Sequence, residues 1–132
     1  MITLLVMVFA PLIVHECGHL AAAVALGMPV SSMKIGTGPL VASFCFRGVW
    51  ARLHLLPIGG RVVTCWRSRR RWKNIAVYAA GPAANLAFAM LVLPWSSMMS
   101  LASALLALNL LPFSEAGQPS DGEQILRELR AR

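Results

Sequence analysis

Residues 2–26 read ITLLVMVFAPLIVHECGHLAAAVAL, an apolar stretch in which charge-bearing side chains occur at positions 15, 16 and 19. A helix needs about 20 residues to cross the hydrocarbon core of a bilayer, and this stretch is longer. Ionisable groups at such depth are costly and are kept where they serve a function. We therefore expect a membrane-spanning helix that carries a functional site.

His15-Glu16-Cys17-Gly18-His19 is an HExxH motif. Two histidines four residues apart lie on one face of an α-helix, so both imidazoles can bind one zinc ion, and the glutamate between them can activate a water molecule. The alternatives are a chance match and a buried structural histidine. A chance pair is improbable in 132 residues with three histidines, and a structural histidine leaves Glu16 in apolar surroundings unexplained. The motif predicts a zinc hydrolase.

The composition is that of a membrane protein. Hydrophobic residues make up 58% of the chain, charged residues make up 13%, and the mean hydropathy is +0.67, whereas about a quarter of the residues in soluble domains are charged. The length of 132 residues fits a single domain, residues 1–132. We expect its core to be formed by helix packing within the bilayer.

Hydropathy predicts three transmembrane helices, at residues 2–26, 75–93 and 95–111. The first lacks a basic amino-terminal region, so we expect it to be retained instead of being cleaved as a signal peptide. A tight turn at 94–97 makes the second and third helices an antiparallel hairpin. Residues 112–132 are predicted to form a carboxyl-terminal loop and helix.

The net charge of +7 is distributed unevenly. Every charged residue from Lys34 to Lys73 is basic, so the positive-inside rule places this connection and the carboxyl terminus in the cytoplasm and the amino terminus outside. We expect a multi-pass integral protein of a prokaryotic cell membrane. The basic run from Arg67 to Lys73, flanked by Trp66, is also typical of nucleic-acid binding. Its position directly before a span favours lipid headgroups instead, so the bilayer is the predicted partner and nucleic acid is not.

Residues 31–66 are rich in branched and aromatic side chains between two turn signals, Arg47-Gly48 and Pro57-Ile58-Gly59-Gly60. They predict three or four short strands that lie at the membrane interface or pack on the helices, because open strand edges are excluded from lipid. An edge near the HExxH motif could pair with an extended substrate. The predicted fold class is a mainly α membrane protein with three transmembrane helices, a small membrane-associated β-hairpin or sheet between the first two, and a short carboxyl-terminal helix.

Two further segments combine helix breakers with polar amides. Gly81-Pro82-Ala83-Ala84-Asn85 lies within the second predicted span, and Asn109-Leu110-Leu111-Pro112 ends the third. Proline loosens a helix, and small residues permit close helix approach. Taken alone, the first segment is more simply a packing kink with a satisfied asparagine.

Together, these segments resemble the site-2 proteases, which are intramembrane zinc metalloproteases. HExxH, GPxxN and NxxP followed by Asp121-Gly122 occur in the family's order, and the glycine pair after Pro57-Ile58 is similar to one in the family's membrane-associated hairpin. The match covers nearly the whole chain.

The resemblance implies a role for each matching position. One Zn²⁺ ion would be held by His15, His19 and Asp121, and Glu16 would be the general base for the attacking water. The two asparagines of the other motifs would line the cleft, where their amides can hold the substrate backbone or the developing oxyanion. These are Asn85 and Asn109.

The third ligand has an alternative. Asp121 lies farther beyond Pro112 than the family's pattern places it, so Glu115 competes for the role. Ser120 and Glu123 form a candidate capping box that would start a helix and present Asp121 in its first turn, which favours Asp121.

Two functions follow from different classes. The first is an intramembrane zinc endopeptidase that cuts a membrane-embedded protein in or near its transmembrane segment, either in regulated intramembrane proteolysis or in clearance of a remnant signal peptide. The second is a non-proteolytic membrane metal-binding protein or a degenerate protease relative. Since the chain looks like a bare catalytic core, we also expect self-association or regulatory membrane subunits. The adjacent base favours the first function, because simple metal binding has no use for Glu16.

Overall fold

The computed structural model describes residues 2–115 and 118–131, with the side chains of residues 6–114 and 118–131. Helix α1 (Ile2–Ala25) is followed by strands β1 (Val30–Phe46) and β2 (Val49–Thr64), and then by helices α2 (Arg71–Val92) and α3 (Ser97–Ala107). A 3₁₀ turn (Leu108–Leu110), two short strands, β3 (Ser114–Glu115) and β4 (Gln118–Pro119), and helix α4 (Asp121–Arg130) follow.

Two helices in the described part of the chain are long and apolar enough to cross a membrane, namely residues Val6–Ala25 of α1 and the whole of α2. The third predicted span, residues 95–111, contains α3, whose 11 residues extend over about 16 Å at 1.5 Å per residue. This is roughly half of the hydrocarbon thickness. In the described part of the chain, three helices are therefore apolar, and two of them have spanning length.

Helices α2 and α3 form the predicted antiparallel hairpin. Two serine hydroxyls of α3 donate to backbone carbonyls of α2, Ser100 to Ala89 at 2.8 Å and Ser103 to Asn85 at 2.9 Å. Both serines are buried. Such bonds between helices stabilise packing where lipid offers no hydrophobic driving force.

Strands β1 and β2 form an antiparallel hairpin that is larger than the small one predicted, with 17 and 16 residues. The predicted turn at Arg47-Gly48 is confirmed, and both residues have positive φ, 49° and 83°, as a two-residue hairpin turn requires. Residues 50–53 lie between two segments of β1 and pair with 42–45 on one side and with 32–35 on the other. Residues 32–35 also pair with 60–63 of β2, which form the outer segment. The two strands thus bend back into four adjacent segments, which accounts for the three or four short strands expected.

Helix α1 is the central element and packs against α2, α3 and both long strands. Its Leu12 lies in one buried apolar cluster with Met33, and its Ala23 lies in a second with Val77. At Gly18 the helix backbones meet so closely that a Cβ atom would lie 2.6 Å from the carbonyl oxygen of Ala80. The glycine inside HExxH therefore permits the close contact of α1 with α2.

Helix α4 begins where the sequence predicts. The hydroxyl of Ser120 accepts from the backbone N–H of Glu123 at 3.1 Å, which is half of the expected capping box. The same hydroxyl donates to the carbonyl oxygen of Leu111 at 2.7 Å and so attaches the start of α4 to the end of the 3₁₀ turn. Asp121, the first residue of α4, is thereby held next to α1 and α2.

Candidate metal centre

Four buried polar side chains meet where α1 passes the start of α4: His15, Glu16, His19 and Asp121. The Nε2 atoms of His15 and His19 lie 3.1 Å apart, and they lie 3.2 Å and 3.3 Å from Oδ2 of Asp121. Asp121 is 106 residues from His15 in the chain. The structure thus brings together the three side chains that the motifs single out as metal ligands.

These three atoms fit a zinc ion. Zinc bonds of about 2.0–2.1 Å in tetrahedral geometry separate neighbouring ligand atoms by about 3.3–3.4 Å. Nδ1 of His19 lies 2.7 Å from the carbonyl oxygen of Val77, which can only accept, so this nitrogen carries the hydrogen. In neutral His19 the Nε2 lone pair is then free, and it points at a carboxylate oxygen and a second imidazole nitrogen. A cation between these atoms would satisfy all three.

Asp121 is held in its ionised form. Burial by itself raises the pKa of its carboxyl group, but the neighbouring imidazole rings of His15 and His19 outweigh burial and hold the pKa at about 2. The amide Nδ2 of Asn109 also donates to Oδ2 of Asp121 at 2.6 Å. Asn109 and Asp121 both line the cavity beside the two histidines.

Glu16 lies beside the histidines and is 3% exposed. Its Oε2 atom is buried and has no hydrogen-bond partner among the described residues. The backbone of β2 passes close to it, because a Cβ atom on Gly60 would collide with the Glu16 carboxylate. Glu16 and Gly60 line a cavity of about 300 Å³ that also contains the histidines and Asp121. An unpartnered carboxylate oxygen in this cavity is placed to take a proton.

The structure separates the two asparagines that the sequence groups together. Asn109 lines the cavity, whereas Asn85 is fully buried and is not among the described residues that line it. Asn85 instead lies behind His15, with its amide Nδ2 3.1 Å from Nδ1 of that ring. The side chain of Glu115, the alternative third ligand, lies outside the described side chains.

Two contacts at the histidines were not foreseen from the sequence. One is the Val77 carbonyl, a backbone group that leaves no signal in a motif. The other is Gly81, where a Cβ atom would lie 2.6 Å from Cε1 of His19. The GPxxN motif contains Gly81, but the motif does not reveal which side chain needs the space.

Known proteins resemble parts of the chain. A protein of Chlamydia trachomatis serovar D is 35% identical over 104 residues, which cover 61% of this chain and 17% of the relative. A Chlamydia pneumoniae protein is 32% identical over 102 residues, covering 60% of this chain and 16% of the relative. Both are named as zinc metalloproteases. The chloroplastic membrane metalloprotease ARASP of Arabidopsis thaliana is 43% identical over 51 residues, 39% of this chain and 11% of the relative. The matched part therefore spans about a sixth of the chlamydial relatives.

The sequence pattern of peptidase family M50 matches residues 3–101. This range contains HExxH and GPxxN, and it ends before Asn109 and Asp121. It covers most of the chain, and the resemblance to the site-2 proteases is confirmed: the chain belongs to peptidase family M50.

Proposed function

We propose that this chain is the catalytic core of an intramembrane zinc endopeptidase that hydrolyses a peptide bond in or near a transmembrane segment of its substrate. One observation carries the proposal. Two histidine nitrogens and a carboxylate oxygen converge within 3.3 Å of one another beside the buried carboxylate of Glu16, and the helix that holds three of these four residues is apolar and of spanning length. Membership of family M50 and the names of the relatives support it.

His15, His19 and Asp121 are the proposed ligands of one zinc ion, which when bound supplies Lewis-acid catalysis and lowers the pKa of water. Glu16 is the proposed general base. Its unpartnered Oε2 takes the proton from the attacking water and then delivers it to the leaving amine. Glu16 and the ligands line one cavity, so this proton travels only a short distance within the site.

The substrate backbone has two proposed contacts. The amide Nδ2 of Asn109 has two hydrogens, and the one not given to Asp121 is available to a substrate carbonyl or to the oxyanion. Residues 60–64 of β2 line the cavity, and in the described pairing residues 61–63 pair with 32–34 of β1 on one side. Their other edge is suited to an extended substrate strand, which would lie next to Glu16.

The proposed setting is a prokaryotic cell membrane that the chain crosses three times, with the carboxyl terminus and the basic connection in the cytoplasm. The two helices of spanning length support two of these crossings, and the basic residues between them support a cytoplasmic connection. The third proposed crossing is that of the shorter helix α3. The proposed substrates are single-span proteins or remnant signal peptides, which present a hydrophobic segment within the bilayer.

Glu16→Gln tests the function. We expect the variant to keep one zinc ion per chain, measured by elemental analysis, because Glu16 is not a proposed ligand. Cleavage of single-span proteins tagged at both ends and reconstituted with the enzyme in liposomes should fall at least about 100-fold, the usual contribution of a general base. Glu123→Gln, which removes an acid of α4 outside the cavity lining, is the matched control and should cleave normally.

Undiminished cleavage by Glu16→Gln would refute the mechanism. A wild-type chain that binds zinc but cleaves no member of a substrate panel would favour the non-proteolytic metal-binding function. A wild-type chain that binds no zinc would refute both.

A further inference from the structure

Asn85 occupies an unusual position for a polar residue. It is fully buried in α2, and its amide Nδ2 lies 3.1 Å from Nδ1 of His15. Its Oδ1 atom is also buried and has no hydrogen-bond partner among the described residues. A buried amide oxygen without a donor is destabilising, so in this orientation the surroundings satisfy only the Nδ2 end of the amide, and only if Nδ1 of His15 accepts.

The chemistry of His15 decides which amide atom belongs there. If Nε2 of His15 is to bind a metal, its lone pair must be free, and the hydrogen of the neutral ring must be on Nδ1. Nδ1–H then needs an acceptor at the position facing Asn85, and an amide NH₂ group cannot accept. Turning the amide by 180° places Oδ1 there, and the NH₂ group takes the place of an oxygen that has no hydrogen bond to lose.

We propose that Asn85 is a positioning residue for the metal site: its Oδ1 accepts the Nδ1–H of His15 and thereby fixes the tautomer and the ring orientation in which Nε2 faces His19 and Asp121. This inference rests on the metal site of the proposed function. It assigns Asn85 a role as acceptor to His15, away from the cavity, instead of a role as donor to the substrate.

The contact of His19 with the same helix supports this assignment. Nδ1 of His19 donates to the carbonyl oxygen of Val77, so this ring already has the arrangement that is proposed for His15. Both outer partners are on α2, eight residues apart, and Gly81 between them leaves space for the His19 ring. Helix α2 thus faces Nδ1 of both rings, through Val77, which also lines the cavity, and through Asn85, which does not.

Two substitutions at Asn85 separate an acceptor from a donor. Asn85→Leu removes both functions at similar volume, whereas Asn85→Asp keeps the acceptor and cannot donate once ionised. We expect zinc affinity, measured on the purified full chain by competition with a chromogenic chelator, to fall about 10- to 100-fold in Asn85→Leu. Asn85→Asp should bind zinc within a few-fold of the wild type. Ser103→Ala, which removes a hydroxyl that contacts the Asn85 backbone instead of its amide, should bind zinc as the wild type does.

The inference would be overturned if Asn85→Asp bound zinc as weakly as Asn85→Leu does. It would also be overturned if Asn85→Leu bound zinc as tightly as the wild type does. If either variant fails to fold, ¹⁵N NMR of the histidine rings in the zinc-loaded wild type decides: a protonated, hydrogen-bonded Nδ1 on His15 is expected, and ligation through Nδ1 contradicts it. A wild type that binds no zinc would instead refute the proposed function.

Discussion

At the scale of single residues, the site depends on two glycines, which leave space, as well as on its polar side chains. A Cβ atom on Gly60 would overlap the Glu16 carboxylate, and one on Gly81 would overlap the His19 ring. The first glycine therefore leaves space for the proposed base and the second for a proposed ligand. Gly59 has a positive φ, but Gly60 does not, so the backbone conformation at position 60 does not require glycine. Glu16 requires the space that the missing side chain leaves.

Gly60→Ala should therefore impair the base and spare the metal. The new methyl group displaces the Glu16 carboxylate, so we expect cleavage of a reconstituted single-span substrate to fall at least about 10-fold, as for loss of part of a general base. Zinc content should stay at the wild-type value, because the three atoms nearest to a Cβ atom on Gly60 all belong to Glu16, which is not a proposed ligand. Loss of zinc together with activity would show that the substitution disturbs the whole site and that Glu16 is not selectively affected.

The proposed ligands were predictable from the sequence, while their outer contacts were not. The helical period places His15 and His19 on one face, and motif order points to Asp121 across 106 residues. The Val77 contact has no sequence signature, because it is made by a backbone carbonyl group and every residue has such a group. Asn85 was identified as a polar residue of interest, but its burial behind His15 depends on how α1 and α2 cross, which spacing within one helix does not encode.

At the scale of elements, helix α4 is attached to α2 by a buried carboxylate. Glu128 is 4% exposed, its Oε1 accepts from Nδ2 of Asn74 at 3.0 Å, and it pairs with Arg67. The second amide hydrogen of Asn74 goes to the carbonyl oxygen of Ser68 at 2.9 Å. This contact lies at the end of α4 opposite to Asp121, so it fixes the direction of the helix that carries the third proposed ligand.

Glu128→Ala should loosen α4. Asn74 is buried and would lose one of the two acceptors of its amide hydrogens, whereas the Arg67 side chain is 65% exposed and can return to water. We expect a loss of about 1–3 kcal/mol in unfolding free energy, faster amide exchange along α4, and weaker zinc binding through Asp121. Glu123→Ala is the control on the same helix, because its exposed ion pair with Arg127 contributes about 0.5 kcal/mol or less. Equal effects of the two substitutions would exclude a special role for the Glu128 contact.

Element lengths were harder to predict than element types. The turn at Arg47-Gly48 and the start of α4 were visible as local chemistry, namely a left-handed turn pair and a capping serine. The length of β1 and β2 depends on long-range pairing, in which residues 32–35 are bonded on both sides. Similarly, α3 is shorter than its apolar stretch because residues 108–110 tighten into a 3₁₀ turn before Pro112.

At the scale of the whole molecule, the outer surface carries many large apolar side chains. Large apolar side chains of the helices and the hairpin point outward, and Trp95 and Met90 are 79% and 78% exposed. A soluble monomer rarely exposes so much apolar surface. With the family and the names of its relatives, this surface supports a membrane environment, but it does not determine the direction in which the chain crosses.

The native cysteines are suited to test that direction. Cys17, Cys45 and Cys65 are all exposed on the protein surface, but they lie at different depths in the proposed topology. In that topology, Cys17 faces lipid from α1, and Cys65 lies in the basic connection before α2. A membrane-impermeant maleimide should therefore label Cys65 in inside-out vesicles and not in intact cells. It should label Cys17 only after the membrane has been solubilised with detergent.

Mass spectrometry of the labelled peptides distinguishes these sites without a reporter that alters the charge distribution. The expected pattern follows from the positive-inside rule, which predicts a cytoplasmic position for the basic connection that contains Cys65 together with Lys34 and Arg61. Labelling of Cys65 from outside intact cells would invert the topology and place the cavity at the opposite face, because residues 60–64 directly before Cys65 line it. Labelling of Cys17 in intact vesicles would mean that water reaches the outer face of α1, which is incompatible with a lipid-facing position for that side of the helix.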